Sequence, residues 1–146
     1  MNVITSFKEK KREKQITYER KMLRELSLEK LKKHVHECFD SFYRTYRVFP
    51  SVIEDGCVDI AIEAYLLGAS YSRFGYYGEP MEMVRRRSGR EEKYLIDTLF
   101  DFLCFWGNID DVFVGESLYY MCEHYISHWW IEGFEKGKKR RRLKLH

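Results

Sequence analysis

The segment from Val52 to Arg73 constrains the fold more than any other part of the chain. At helical spacing, Ile53, Cys57, Ile60, Ala64 and Leu67 fall on one face, while Val58, Ile62, Tyr65, Leu66 and Ala69 fall on a second. A helix apolar around most of its circumference has to be enclosed by other elements, so this one is expected at the centre of the fold. Gly56, Ala61, Ala64 and Gly68 are small and admit neighbouring helices at close range. Ser51 and Glu54 stand at the spacing of a capping box, in which the serine oxygen takes a first-turn amide and the glutamate reaches back.

The same period recurs along the chain. Residues 5–26 read as a basic helix whose second half, with Ile16, Met22, Leu23 and Leu26, can pack; residues 1–15 are expected to fray or to project as a basic arm. Over residues 28–47, Leu28, Leu31, Val35, Phe39, Phe42 and Tyr46 recur at steps of three and four, which places them on one helical face before Pro50 ends the run. Residues 74–80 hold Gly75, Gly78 and Pro80 and read as a loop, with Phe74, Tyr76 and Tyr77 to pack it down. A short helix at 81–87 precedes a second capping-box pattern, Ser88 and Glu91. The helix from Gly89 to Trp106 then turns Leu95, Leu99, Phe102, Leu103 and Trp106 inward and stops at Gly107 and Asn108. A last long helix, from about Glu116 to Lys136, carries Leu118, Met121, Cys122, Tyr125 and Trp129, widened by Ile126, Trp130 and Phe134.

Nowhere does a two-residue alternation persist, and the chain holds only two prolines. The expected fold is all-α: a bundle of about five helices around the segment 52–73, in one domain covering residues 1–146. An aromatic fraction of 16% argues for a core built on rings, with Tyr and Trp edges that need polar partners.

Cys38, Cys57, Cys104 and Cys122 are widely spaced and form no CxxC pair. They read as buried free thiols of a reducing compartment. No segment is long and apolar enough to span a bilayer. At the N-terminus an apolar stretch precedes the basic one, the reverse of a secretory signal, so a cytoplasmic location is expected.

The net charge of +3 is unevenly placed. Residues 135–146 carry seven basic groups and one acid, and residues 8–14 carry five basic groups and two acids, which leaves the remaining body at −6. Lys138, Lys139, Arg140, Arg141 and Arg142 are therefore candidate nucleic-acid contacts. The plainer reading is a charged helix C-terminus that opposes the macrodipole. No aromatic residue interleaves the run from Lys136 to Lys144, so it offers no base-stacking platform.

Three further constellations are candidates for chemistry. Asp55, Asp59 and Glu63 recur at steps of four on one helix edge. Facing inward, they would need a cation or metal, the basis of a metal-dependent enzyme; otherwise they form a solvated edge of the helix, or pair with Arg73 or the arginines of 85–90. The Glu-x-x-His motif of helix-bundle metal sites is missing, so no metal is assigned, and Arg73 and Tyr77 complete a candidate polar site. His124, His128 and Glu132 also recur at steps of four, but on the side away from the apolar stripe, and are expected to be exposed. Arg85, Arg86, Arg87 and Arg90 follow an aromatic loop and flank a helix start, the makings of an anion site. No phosphate-loop, dinucleotide or nucleophile-elbow pattern accompanies them, and no cofactor is expected.

The run Cys57-Val-Asp-Ile-Ala-Ile-Glu-Ala-Tyr-Leu-Leu-Gly68, the following Phe74-Gly-Tyr-Tyr-Gly-Glu79 and Trp129-Trp-Ile-Glu-Gly-Phe134 resemble the YbaK-type uncharacterised family of Bacillus-related bacteria, a domain of unknown function. The resemblance covers most of the chain. It implies a bacterial cytosolic protein and supplies no activity or ligand. The functional expectation is a non-enzymatic binding or regulatory protein acting on a protein partner or as a homodimer, with nucleic-acid binding through the basic ends and metal-dependent catalysis as alternatives.

Overall fold

A computed structural model describes residues 3–43, 49–107 and 111–143, with side chains from residue 6 onward. Among these the chain forms six α-helices and no strand: α1 (Val3–Arg24), α2 (Leu28–Phe39), α3 (Ser51–Tyr76), α4 (Met81–Arg87), α5 (Gly89–Gly107) and α6 (Val112–Arg142), with a 3-10 turn at Asp40–Tyr43 after α2. The fold is all-α, as expected.

The helix starts are set by three devices. Ser27 caps α2 by accepting the Lys30 amide at 3.3 Å. The Asp111 carboxylate caps α6 by accepting the amides of Phe113 at 2.8 Å and Val114 at 3.3 Å. Pro50 precedes α3 and Pro80 precedes α4, neither with a side-chain cap. Neither expected capping box forms. Ser51 lies inside α3, and Glu54 turns away to His36. Ser88 accepts the Trp130 indole N–H at 3.0 Å, while Glu91 accepts the Tyr71 hydroxyl at 2.9 Å. In both cases the carboxylate serves a tertiary partner instead of its own helix. For Ser88 the cause is plain: a fully buried indole N–H costs more unpaired than a helix-end amide that water can reach.

α3 does occupy the centre, but it shares that place with α6. The two helices run parallel: the Tyr125 hydroxyl donates to the Cys57 carbonyl at 2.7 Å near one end, and Arg141 donates to Ser72 at 3.1 Å near the other. Between these points the backbones touch. A Cβ added at Gly68 would collide with the Trp130 carbonyl, and one added at Gly133 with the Tyr65 carbonyl, so only glycine allows the crossing at either position. α1, α2 and α5 pack antiparallel around this pair. Tyr65 donates to the Met22 carbonyl at 2.9 Å and Tyr18 to the Ala69 carbonyl at 3.1 Å, which ties α1 down. The Phe39 ring meets Tyr125 at 5.2 Å, and Tyr119 donates to Asp97 at 2.8 Å.

The core is aromatic. Trp130, Tyr65, Tyr125, Phe39 and Phe134 are its largest fully buried side chains. The hydroxyls of Tyr43, Tyr65 and Tyr125 each reach a backbone carbonyl of another helix, so burying these rings strands no polar group. Cys38, Cys57 and Cys122 are buried free thiols, and Cys104 is free and half-buried.

Four expected boundaries shift. α3 continues through Phe74 and Gly75 to Tyr76, because Gly75 lets the Phe134 ring press against the helix. The loop shrinks to residues 77–80, with Gly78 at φ +98. α2 tightens at Asp40 into the 3-10 turn; Tyr46 lies outside the described residues, as does Asn108. α6 starts at Val112 and runs through the basic stretch to Arg142. Trp106, expected inward, is 41% exposed and lies edge-on to Phe102 and Phe105. No helix among the described residues is long and apolar enough to cross a membrane.

Candidate functional site

The carboxylate edge faces water. Asp55, Asp59 and Glu63 are all exposed, since α3 buries the opposite faces against α5 and α6. No group of three His, Cys, Asp or Glu side chains able to hold a metal occurs among the described residues. Arg73 sits on the Phe74 ring, its guanidinium 4.8 Å from the centroid. It lies roughly 27 Å along the helix axis from Asp55. Tyr77 is exposed beside Tyr76. The five residues of the candidate polar site are not drawn together; only Glu63 meets an arginine, sharing a shallow cleft with Arg90.

The arginines after the aromatic loop divide by partner. Arg85 pairs with buried Glu92 and lies over Trp130 at 5.7 Å. Arg87 grips Glu79 at 2.9 and 3.1 Å and covers Phe74 at 4.3 Å. Both hold the α3–α4–α5 junction closed. Arg86 and Arg90 are exposed.

A histidine cluster lies where α2 meets α6. His34, on the flank of the Leu31–Val35–Cys38 stripe, stacks on His128 at 4.2 Å and on Tyr125 at 5.2 Å. Its Nδ1 accepts the Trp129 indole N–H at 3.0 Å, which leaves the proton of the neutral ring on Nε2, 3.5 Å from Cys38 Sγ. Burial, with His128 and His124 nearby, holds the His34 pKa down at about 4. Burial and Glu37 push the Cys38 thiol up to about 11. These shifts run opposite to those of a thiolate–imidazolium pair. His34 and His128 line a cleft of about 380 Å³ with Lys30, Lys33, Glu37 and Glu132. His124 is exposed as expected, but His128 is half-buried because His34 covers it. The available signal for His34 was its place beside an apolar stripe at helical spacing.

The strongest departure from a chain of separate segments concerns the basic ends. Because α1 is antiparallel to α6, the second half of α1 lies beside the last turns of α6. The Arg141 guanidinium sits over the Tyr18 ring at 5.3 Å, and Arg140 pairs with Glu25 at 3.0 Å. Lys136 donates to the Glu25 carbonyl at 3.1 Å, and Lys138 lies 5.9 Å from the Phe134 centroid. Lys139 and Arg142 are exposed. A cleft of about 820 Å³ opens between Arg141 and the α1 residues Lys10, Lys11, Lys14, Tyr18 and Lys21.

The opposite end of the molecule is apolar and acidic. Where α5 ends and α6 begins, Phe105 is 78%, Val112 71% and Phe113 80% exposed, and Trp106, Val114 and Tyr120 are also exposed. Asp101, Asp111, Glu116 and Glu123 surround them and are exposed too.

The chain is similar over 146 residues, at 36% identity and with 99% of each chain covered, to "Uncharacterized protein YbaK" of Bacillus subtilis (strain 168). No solved structure matches it. The family described as "Protein of unknown function (DUF2521)" matches residues 1–146. The chain thus belongs to the DUF2521 family, whose function is unknown.

Proposed function

We propose that this chain is a single-domain cytosolic binding protein that acts by docking another protein against the α5–α6 corner. The observation that carries this reading is the set of large apolar side chains turned to solvent there, Phe105, Val112 and Phe113 foremost. Large apolar groups gathered on a soluble surface mark contact sites, because their exposure to water is unfavourable until a partner covers them. The acidic rim of Asp101, Asp111, Glu116 and Glu123 favours a partner whose own apolar centre is edged by basic groups. It also opposes a symmetric pairing of two copies, which would bring like charges together. The neutral, hydrogen-bonded state of His34 and the raised pKa of Cys38 favour binding over catalysis. The free thiols suit the cytosol.

A photo-crosslinking residue placed at Phe113 in the producing bacterium tests the assignment. One discrete heterologous adduct is expected, lost when Phe105→Ser is added and kept when the probe chain carries Tyr77→Ser. An adduct of twice the chain's mass would assign the corner to a second copy instead. No discrete adduct, or one indifferent to Phe105→Ser, would overturn the proposal.

A further inference from the structure

The sequence shows two basic ends; the fold makes them one surface. Residues 7–17 of α1 are exposed on every side, so this half-helix stands off the body. Its charges are not spent internally: Lys10, Lys11 and Lys14 form no ion pair with any described residue. Lys10, Lys14, Thr17 and Lys21 recur at steps of four and three, which aligns them along the wall of the 820 Å³ cleft. Across the cleft Arg141 is held in place by Ser72 and by the Tyr18 ring. The cleft therefore has one wall of long, hydrated lysines, with the single carboxylate of Glu13 among them, and one fixed guanidinium across it.

We propose that this cleft binds the sugar-phosphate backbone of a nucleic acid. From Lys10 to Lys21 the wall runs about 16 Å, and duplex DNA carries roughly one phosphate charge per 1.7 Å of axis. Several phosphates thus fall within reach of one helix face. Lys139 and Arg142 extend the surface on α6. Among the described residues Tyr18 is the only aromatic side chain that lines the cleft, and Arg141 already covers it. Recognition is consequently of the backbone, tolerant of sequence, with no stacking platform. An anionic membrane is the less fitting occupant. A helix that lies in a bilayer interface needs a broad apolar face, and the cleft-facing side of α1 offers lysines, Glu13, Gln15, Thr17 and one tyrosine. The site is independent of the α5–α6 corner and lies at the other end of α6.

Fluorescence anisotropy on the full chain tests the proposal, with a labelled 20-base-pair DNA duplex and the matching single-stranded DNA and RNA as probes. For about four phosphate contacts, affinity is expected to fall roughly 150-fold for the duplex and roughly 50-fold for the single strands between 50 and 200 mM salt. Replacing Lys10, Lys11 and Lys14 with Gln should weaken binding at 50 mM salt at least about tenfold and flatten the salt dependence. The control variant replaces Lys32, Lys33 and Lys93 with Gln, removing the same charge from α2 and α5, and should bind like the parent. Circular dichroism checks that both variants fold. Comparison of the three probes separates duplex from single-strand binding. The proposal is overturned if no probe binds at 50 mM salt, or if the two triple variants lose affinity equally, which would make net charge the cause. It is equally overturned if vesicles of anionic phospholipid bind the chain through the same lysines while the oligonucleotides do not.

Discussion

At His34 both ring nitrogens are committed within the fold: Nδ1 accepts the Trp129 indole N–H, and Nε2 faces Cys38 Sγ. Burial disfavours the charged ring, and a proton added at Nδ1 would also place a charge against His128 and His124, which holds the pKa down at about 4. An unfolded histidine takes that proton near pH 6.5. The unfolded chain therefore binds more protons than the folded one as pH falls below 6.5, and the His34 contribution to stability drains away between pH 6.5 and 4. His36 acts in the opposite sense. Burial works against its charge, but Asp40 on Nδ1 at 2.8 Å and Glu54 on Nε2 at 2.6 Å outweigh it and raise its pKa. That contribution is fully present below pH 6.5 and is lost as pH rises through the raised value. His34→Gln keeps an acceptor for Trp129 and removes the titration. Chemical denaturation at pH 7 and pH 4.5 should show the parent losing about 1–2 kcal/mol more than the variant, after allowance for partial solvent screening. Ser88 is the second residue with a single task. Ser88→Ala leaves the Trp130 N–H buried without an acceptor, and the same measurement should show a loss of about 1–3 kcal/mol.

At the scale of elements, the parallel contact of α3 and α6 rests on two glycines. Gly68→Ala and Gly133→Ala each force a Cβ into a backbone carbonyl of the facing helix, and neither carbonyl can turn aside without breaking helical hydrogen bonds. Each should cost about 3 kcal/mol or more in thermal or urea unfolding. Gly115 in α6 faces open space, and Gly115→Ala should stabilise by up to about 1 kcal/mol. The contrast measures the crossing itself, because helix propensity alone favours alanine at all three. The sequence made α3 legible as central, since its apolar residues leave little polar surface, and the small residues announced close neighbours. It did not disclose that α6 is the neighbour, because any amphipathic helix in the chain met that requirement. Capping patterns at Ser51 and Ser88 misled for a related reason: a motif four residues long cannot register a demand made by Trp130 or His36 from elsewhere in the fold. The carboxylate edge was legible only as a pair of alternatives. Which one holds depended on where α5 and α6 pack, and their packing leaves Asp55, Asp59 and Glu63 in water.

Across the whole molecule, charge follows the direction of the central pair. α3 and α6 both start at the end that bears Asp55, Asp59, Asp111 and Glu116, and both finish at the end that bears Arg73, Lys139 and Arg142. Acids near helix N-termini and bases near C-termini each oppose the macrodipole, so parallel packing of two long helices is electrostatically matched at both ends. α6 alone, at 31 residues, separates the acidic corner from the basic cleft by about 46 Å. One consequence is that residues 136–142 are not a disposable tail. Lys136 and Arg140 bind Glu25 at the end of α1, and Arg141 ties Tyr18 to Ser72. Removing residues 136–146 should loosen α1 from Met22 outward and uncover the Tyr65 hydroxyl bond, lowering stability by about 1–3 kcal/mol. By contrast, a triple Gln replacement at Lys138, Lys139 and Arg142 spares those contacts and should leave the melting temperature within about 2 °C of the parent. Amide hydrogen exchange reads the difference directly. Protection of α1 residues 18–24 should fall in the truncated chain and persist in the triple variant; equal protection in both would mean that α1 is held by its apolar contacts alone.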